Sequence, residues 1–164
     1  MILTSDTDNY RYYIANRDEH MKLKIDNELL IEEFFEDTHL LGIMAPLGSH
    51  QFVWQVNQGL RFDFRVNNDI EIHLKKKNRQ YFFSVFEYKE PNIALSYFLY
   101  KNQFDGEYLL PEFKHLDYLW LIKGDLPPAE EEKELIAGIR TIQGVQLVVE
   151  LTNEKIKNKG HLIF

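Results

Sequence analysis

Three segments of the chain, Tyr81–Tyr88, Ile93–Lys101 and Tyr118–Lys123, place apolar side chains at consecutive positions instead of alternate ones. Successive residues of a strand project to opposite faces. Phe82 and Phe86 therefore point one way and Phe83 and Val85 the other, while Tyr118, Trp120 and Ile122 oppose Leu119 and Leu121. Such strands need cover on both faces. The links between consecutive strands are short. A doubly wound parallel sheet would need helices there, so the pairing should be antiparallel. The expected class is α+β: a mainly antiparallel sheet with two or three packed helices. Helices cover one face. The other calls for the remaining helix, the N-terminal segment or a second subunit, and on that ground the sequence predicts a homodimer.

Elsewhere the periodicity changes. Met21, Leu23 and Ile25 alternate with Lys22, Lys24 and Asp26, the pattern of a half-buried strand. Residues 1–20 are polar apart from Tyr10–Ile14 and read as an N-terminal extension to a single α+β domain over 21–164. A short helix is expected over Asn27–Asp37, with Leu30, Ile31, Phe34 and Phe35 at helical spacing, and a strand over His39–Ala45, ended by Pro46. Ser49 is placed to cap a helix over His50–Leu60, which Gly59 closes. Ile70, Ile72 and Leu74 alternate with charged residues and pair with Tyr81–Tyr88 as a hairpin. Gly124–Pro128 opens a last helix, capped by Asp125 or nearby groups, with Leu135, Ile136, Ile139 and Ile142 as its buried stripe. Gly144 stops it, and Gln146–Leu151 is the final strand, followed by a short basic segment.

Composition narrows the function classes. The chain contains no cysteine, which excludes a disulfide scaffold, thiolate catalysis and cysteine-ligated metal. No cofactor is indicated. The first residues lack the basic start and apolar run of a signal peptide, and apolar runs such as Leu119–Ile122 fall far short of the ~18 residues of a membrane helix. A cytoplasmic protein without a membrane partner is expected. A net charge of -7 repels phosphate, so no nucleic-acid partner is expected. The two basic clusters, Lys75–Arg79 and Lys155–Lys159, read as a solvated turn and a solvated tail.

The segment Leu110-Pro111-Glu112-Phe113-Lys114-His115-Leu116-Asp117-Tyr118 has its own local logic. Pro111 pushes Leu110 towards an extended conformation and suits the first position of a helical turn, with Glu112 near the positive end. Phe113 and Leu116 then share a face, and Asp117, just before a strand, can accept backbone N–H bonds. The same segment resembles the motif that names the bacterial IPExxxVDY family, with Leu110 for its Ile and Leu116 for its Val. The resemblance continues through Leu121–Pro127, Gly144–Gln146, the helix over Phe52–Leu60 and the closing Leu162-Ile163-Phe164. It covers most of residues 21–164 and implies no particular activity, substrate or cofactor.

Two groups of residues could carry chemistry. Glu112, His115 and Asp117, with Pro111 and Tyr118 around them, offer carboxylates and an imidazole for a divalent metal or for acid–base work. Gly48-Ser49-His50 precedes a helix whose free N–H groups could hold an anion. The plainer reading of both is structural, a connecting turn and an ordinary helix start. Phe82–Tyr88 faintly resembles an aromatic RNA-binding strand but lacks its basic residue and glycine. The sequence therefore favours a non-catalytic protein-interaction domain with an unidentified protein partner. Small-ligand, anion or metal binding at either group, with or without catalysis, is the alternative, followed by RNA binding.

Overall fold

The computed structural model describes residues 26–164. The expected strand over Met21–Asp26 and the Tyr10–Ile14 group lie outside the described residues, Asp26 excepted. Residues 26–35 are helical (α1). Their Phe34 and Phe35 rings meet edge-on at 5.1 Å, and Phe35 is buried, whereas Leu30 is exposed.

Residues 37–164 form a unit of their own. Its main elements are β1 (Thr38–Met44), α2 (Ser49–Leu60), β2 (Arg65–Val66), β3 (Ile72–Lys76), β4 (Arg79–Phe83), β5 (Val85–Lys89) and β6 (Leu95–Lys101), then β7 (Gln103–Phe104), β8 (Glu107–Tyr108), β9 (Tyr118–Gly124), α3 (Ala129–Thr141) and β10 (Leu147–Leu151). Six strands build one antiparallel sheet in the order β10-β1-β9-β6-β5-β2. The β3–β4 and β7–β8 pairs are separate two-stranded sheets. The α+β class with a mainly antiparallel sheet is the observed one.

One face of the large sheet carries the helices. Leu41, Ile43, Leu99, Tyr118, Trp120 and Ile122 pack in one cluster with Phe52, Val53 and Val56 of α2 and Ile136 and Ile139 of α3. The Phe52 and Tyr118 rings stack at 4.2 Å. Phe62 and Phe64 meet Trp120 edge-on at 5.2 and 5.0 Å, a favoured geometry for aromatic pairs.

The opposite face is covered from within the chain. Leu40, Phe98, Tyr100, Leu119 and Leu121 are buried there, and so are Leu110 and Leu116 of the segment before β9 and Ile156 and Leu162 of the tail. The Tyr100 hydroxyl donates to the Leu162 carbonyl at 3.3 Å, and the Phe98 and Phe164 rings lie 4.8 Å apart. Leu116 comes so close to Gly42 that a Cβ there would overlap its side chain, which accounts for glycine in mid-strand. The basic tail is thus not a solvated strand of chain. Fully burying a leucine such as Leu162 stabilises by about 1.5–3 kcal/mol. The surplus of apolar strand surface is met without a second subunit.

Several local expectations shift. Tyr81–Tyr88 is not one strand: it breaks at Ser84 into β4 and β5, which belong to different sheets, and Phe82 is exposed. Gly48, not Ser49, occupies the N-cap of α2, with no side-chain cap, and the helix ends at Arg61 in the left-handed region (φ 61°) instead of at Gly59. The N-cap of α3 is Pro128. Asp125 instead accepts from the Ala94 N–H at 3.3 Å.

Candidate functional site

The segment 110–118 folds as its residues dictate. Leu110 lies just short of the extended region (φ -114°, ψ 89°) and Pro111 starts a single 3-10 turn over Pro111–Phe113. Its carboxylates point to separate partners. Glu112 accepts from the Lys157 N–H at 2.7 Å, the Asn158 N–H at 2.9 Å and the Asn158 side-chain amide at 2.8 Å, so it clamps the tail. Burial alone would push the Glu112 carboxyl up, but the bonds from Asn158 and Lys157 outweigh it and hold it below the usual carboxylate range. Asp117 accepts from the Ala45 N–H at 2.8 Å. His115 is exposed, its ring 6.5 Å from that of Phe113. Among the described residues, no three His, Asp or Glu side chains gather as a metal site.

Asn102, which the sequence did not single out, organises this segment. It is fully buried, and its side-chain amide donates to the Phe113 and Leu116 carbonyls at 3.0 and 2.9 Å while its Oδ1 accepts from Leu110 at 2.9 Å. Its main chain accepts from Leu109 at 2.8 Å and donates to Asp117 at 2.9 Å.

The Gly48-Ser49-His50 turn is brought beside Asp117 and Tyr118. The Tyr118 hydroxyl and Lys101 Nζ both donate to the Leu47 carbonyl, at 2.5 and 3.3 Å, and Lys101 Nζ lies 4.2 Å over the Tyr118 ring. Burial pushes the Tyr118 phenol up to about 12, opposed by its hydrogen bond with Ser49 and reinforced by the Asp117 charge. Burial lowers the Lys101 ammonium, and Asp117 opposes that shift. His50 is exposed and meets the Phe86 ring edge-on at 6.4 Å. The effect of this cluster is to fasten the β1–α2 loop to the sheet: Asp117 holds Ala45, and Tyr118 and Lys101 hold Leu47.

A different region presents unused bonding capacity. One end of the sheet finishes in β2, only two residues long; the other finishes in β10, with five. The parity of the ladder follows from one bond. Gly124 N–H donates to the Asp37 carbonyl at 3.0 Å, which continues the β1–β9 register of Thr38 with Lys123. Odd residues of β1 therefore bond to β9, and even residues bond to β10. Because Leu40 faces Leu151 and Gly42 faces Val149, Leu147, Val149 and Leu151 bond inward. Val148 and Glu150 turn their N–H and C=O groups outward, where no strand pairs with them among the described residues. Arg140 Nη2 donates to that outward Val148 carbonyl at 3.3 Å.

Two clefts flank this edge. One of about 370 Å³ lies between α3 and β10, lined by Lys133, Ile136, Arg140, Val148, Val149 and Glu150. The other, of about 340 Å³, includes His39, Glu132, Glu150 and Leu151. There His39 Nδ1 and the Glu132 carboxylate stand 2.7 Å apart. Lys133 reaches back to Glu130 at 2.7 Å. Among the described residues, Arg140 and Glu150 form no ion pair. Leu147 is exposed at the start of the strand. Sequence reasoning identified the strand but not its position at the rim.

Among the described residues, no helix is long and apolar enough to cross a membrane. No family model matches the chain, and no curated protein matches it significantly.

Proposed function

We propose that this chain is a non-catalytic protein-interaction domain and that its contact surface is the outer edge of β10 with the adjoining face of α3. The carrying observation is a five-residue rim strand whose Val148 and Glu150 backbone groups face outward beside a cleft. Proteins commonly blunt such edges with proline, lysine, bulges or very short strands. The sequence Leu147-Val148-Val149-Glu150-Leu151 has a single charge and no proline. An added strand gains main-chain hydrogen bonds there and a groove for alternate side chains. The polar groups that a ligand-binding reading would draw on, Glu112, Asp117 and Tyr118, are bonded to the chain's own backbone. The motif at Leu110–Tyr118 is the ground for proposing membership of the IPExxxVDY family, and the lack of cysteine fits a cytoplasmic setting.

The test is partner capture with Glu150→Pro. Proline at this position removes an outward N–H and a carboxylate while sparing the bonds to β1. Cross-linked partners recovered with the wild-type chain are lost with the variant at equal expression and equal secondary structure. Recovery of the same partners by both chains overturns the reading.

A further inference from the structure

We propose that the occupant of the β10 edge is β10 of a second copy, in an antiparallel pair centred on Val149, with Glu150 of each chain seated against Arg140 of the other. The inference rests on the β10 edge being the contact surface.

Register and charge select this arrangement. The outward residues are Val148 and Glu150, so a second antiparallel strand must place its own outward residues opposite them. Three two-fold registers are available. Centring on Val148 brings each Arg140, held on the Val148 carbonyl, towards its counterpart. Centring on Glu150 sets two carboxylates face to face, and like charges directly opposite are destabilising. Centring on Val149 places Glu150 opposite Val148. Val148 belongs to the core cluster on the helix side of the sheet, and Glu150, two residues on, shares that side. A two-fold axis normal to the sheet keeps both helix sides together. Each Glu150 carboxylate then arrives where the partner's Arg140 reaches the Val148 carbonyl. The long 3.3 Å bond of Arg140 gives way to a charge-assisted one. Arg140 and Glu150, which form no ion pair among the described residues, become two ion pairs across an isologous interface, as a two-fold contact requires. The two six-stranded sheets run on as one. The contact is small, and association in the micromolar range suits it.

Equilibrium sedimentation of the full chain and its charge variants tests this. The wild type reaches twice the 19.6 kDa of one chain as concentration rises. Glu150→Arg and Arg140→Glu, each alone, bring like charges together and weaken association at least about tenfold. Their equimolar mixture restores it, because each variant then supplies the charge that the other lacks. Circular dichroism confirms that both variants fold. A monomer mass for the wild type at every concentration overturns self-pairing; if Glu150→Pro still loses a captured partner, the edge keeps its role with another protein. Variants that dimerise alone as well as the wild type, or a mixture no better than its components, also overturn the proposal.

Discussion

Exchanging one atom of Asn102 tests the account of the segment 109–118. Asn102→Asp keeps the side chain's shape and the oxygen that accepts from Leu110, but it puts an oxygen where the amide donates to the Phe113 and Leu116 carbonyls. Two hydrogen bonds are lost, each with a net value of about 0.5–1.5 kcal/mol. The new charge faces two carbonyl oxygens at a position with 0% exposure. An uncompensated buried charge costs about 3–5 kcal/mol. For a chain of this size that lowers the melting temperature by about 6–20 °C at pH 7. The carboxyl escapes part of the cost by staying protonated, so its folded-state pKa rises above the unfolded value of about 3.9. A raised folded pKa means that the deficit grows as pH rises above that value and shrinks as pH falls towards it. Thermal melts of wild type and variant between pH 7 and 4 read both effects. A variant melting within about 2 °C of wild type at pH 7, or a deficit independent of pH, would refute the reasoning.

Other substitutions probe separate links. Asp117→Ala strips the acceptor from the Ala45 N–H, whose residue is fully buried, and should cost about 1–3 kcal/mol in a denaturant melt; exposed His115→Ala should stay within about 0.5 kcal/mol. Equal losses from the two would contradict the assigned roles. Its hydrogen bonds hold the Glu112 carboxyl below the usual carboxylate range, so its clamp on Lys157 and Asn158 is intact above that range and is lost as pH falls through the folded value. Amide signals of Lys157 and Asn158 followed by NMR should move in that window, and Glu112→Gln should abolish the transition. Val149→Pro breaks an inward ladder bond, whereas Glu150→Pro removes an outward group; the first should be less stable by at least about 1–3 kcal/mol, and a reversed order would mean that the strand parity is misassigned.

The chain disclosed its local features more readily than its distant ones. Pro111 starting a turn was legible because it depends on residue type and immediate neighbours. That Asp117 accepts a backbone N–H was legible from its type, but not that the donor is Ala45, 72 residues away. The short links between strands likewise pointed to antiparallel pairing, and the doubly apolar pattern of β6 and β9 to a sheet covered on both faces. The cover on the second face was not legible. Ile156 and Leu162 are spaced among lysines, asparagine and glycine, and nothing periodic marks them as buried. Asn102 was missed because its side-chain bonds run to Leu110, Phe113 and Leu116, eight to fourteen residues away. The split at Ser84 escaped because β4 and β5 read as one apolar run until each finds a different partner. That β10 forms the rim is a property of strand order, and strand order is a tertiary fact.

Amide hydrogen exchange along β10 at several protein concentrations tests the central claim most directly. The account predicts that Val149 and Leu151, bonded to β1, exchange slowly at every concentration. Val148 and Glu150 exchange fast when dilute and become protected as the chain is concentrated, with the midpoint where sedimentation finds the dimer. Fast exchange of Val148 and Glu150 at all concentrations would contradict pairing through this edge. Protection of both at the highest dilution would contradict it too, because another part of the same chain would then hold the edge.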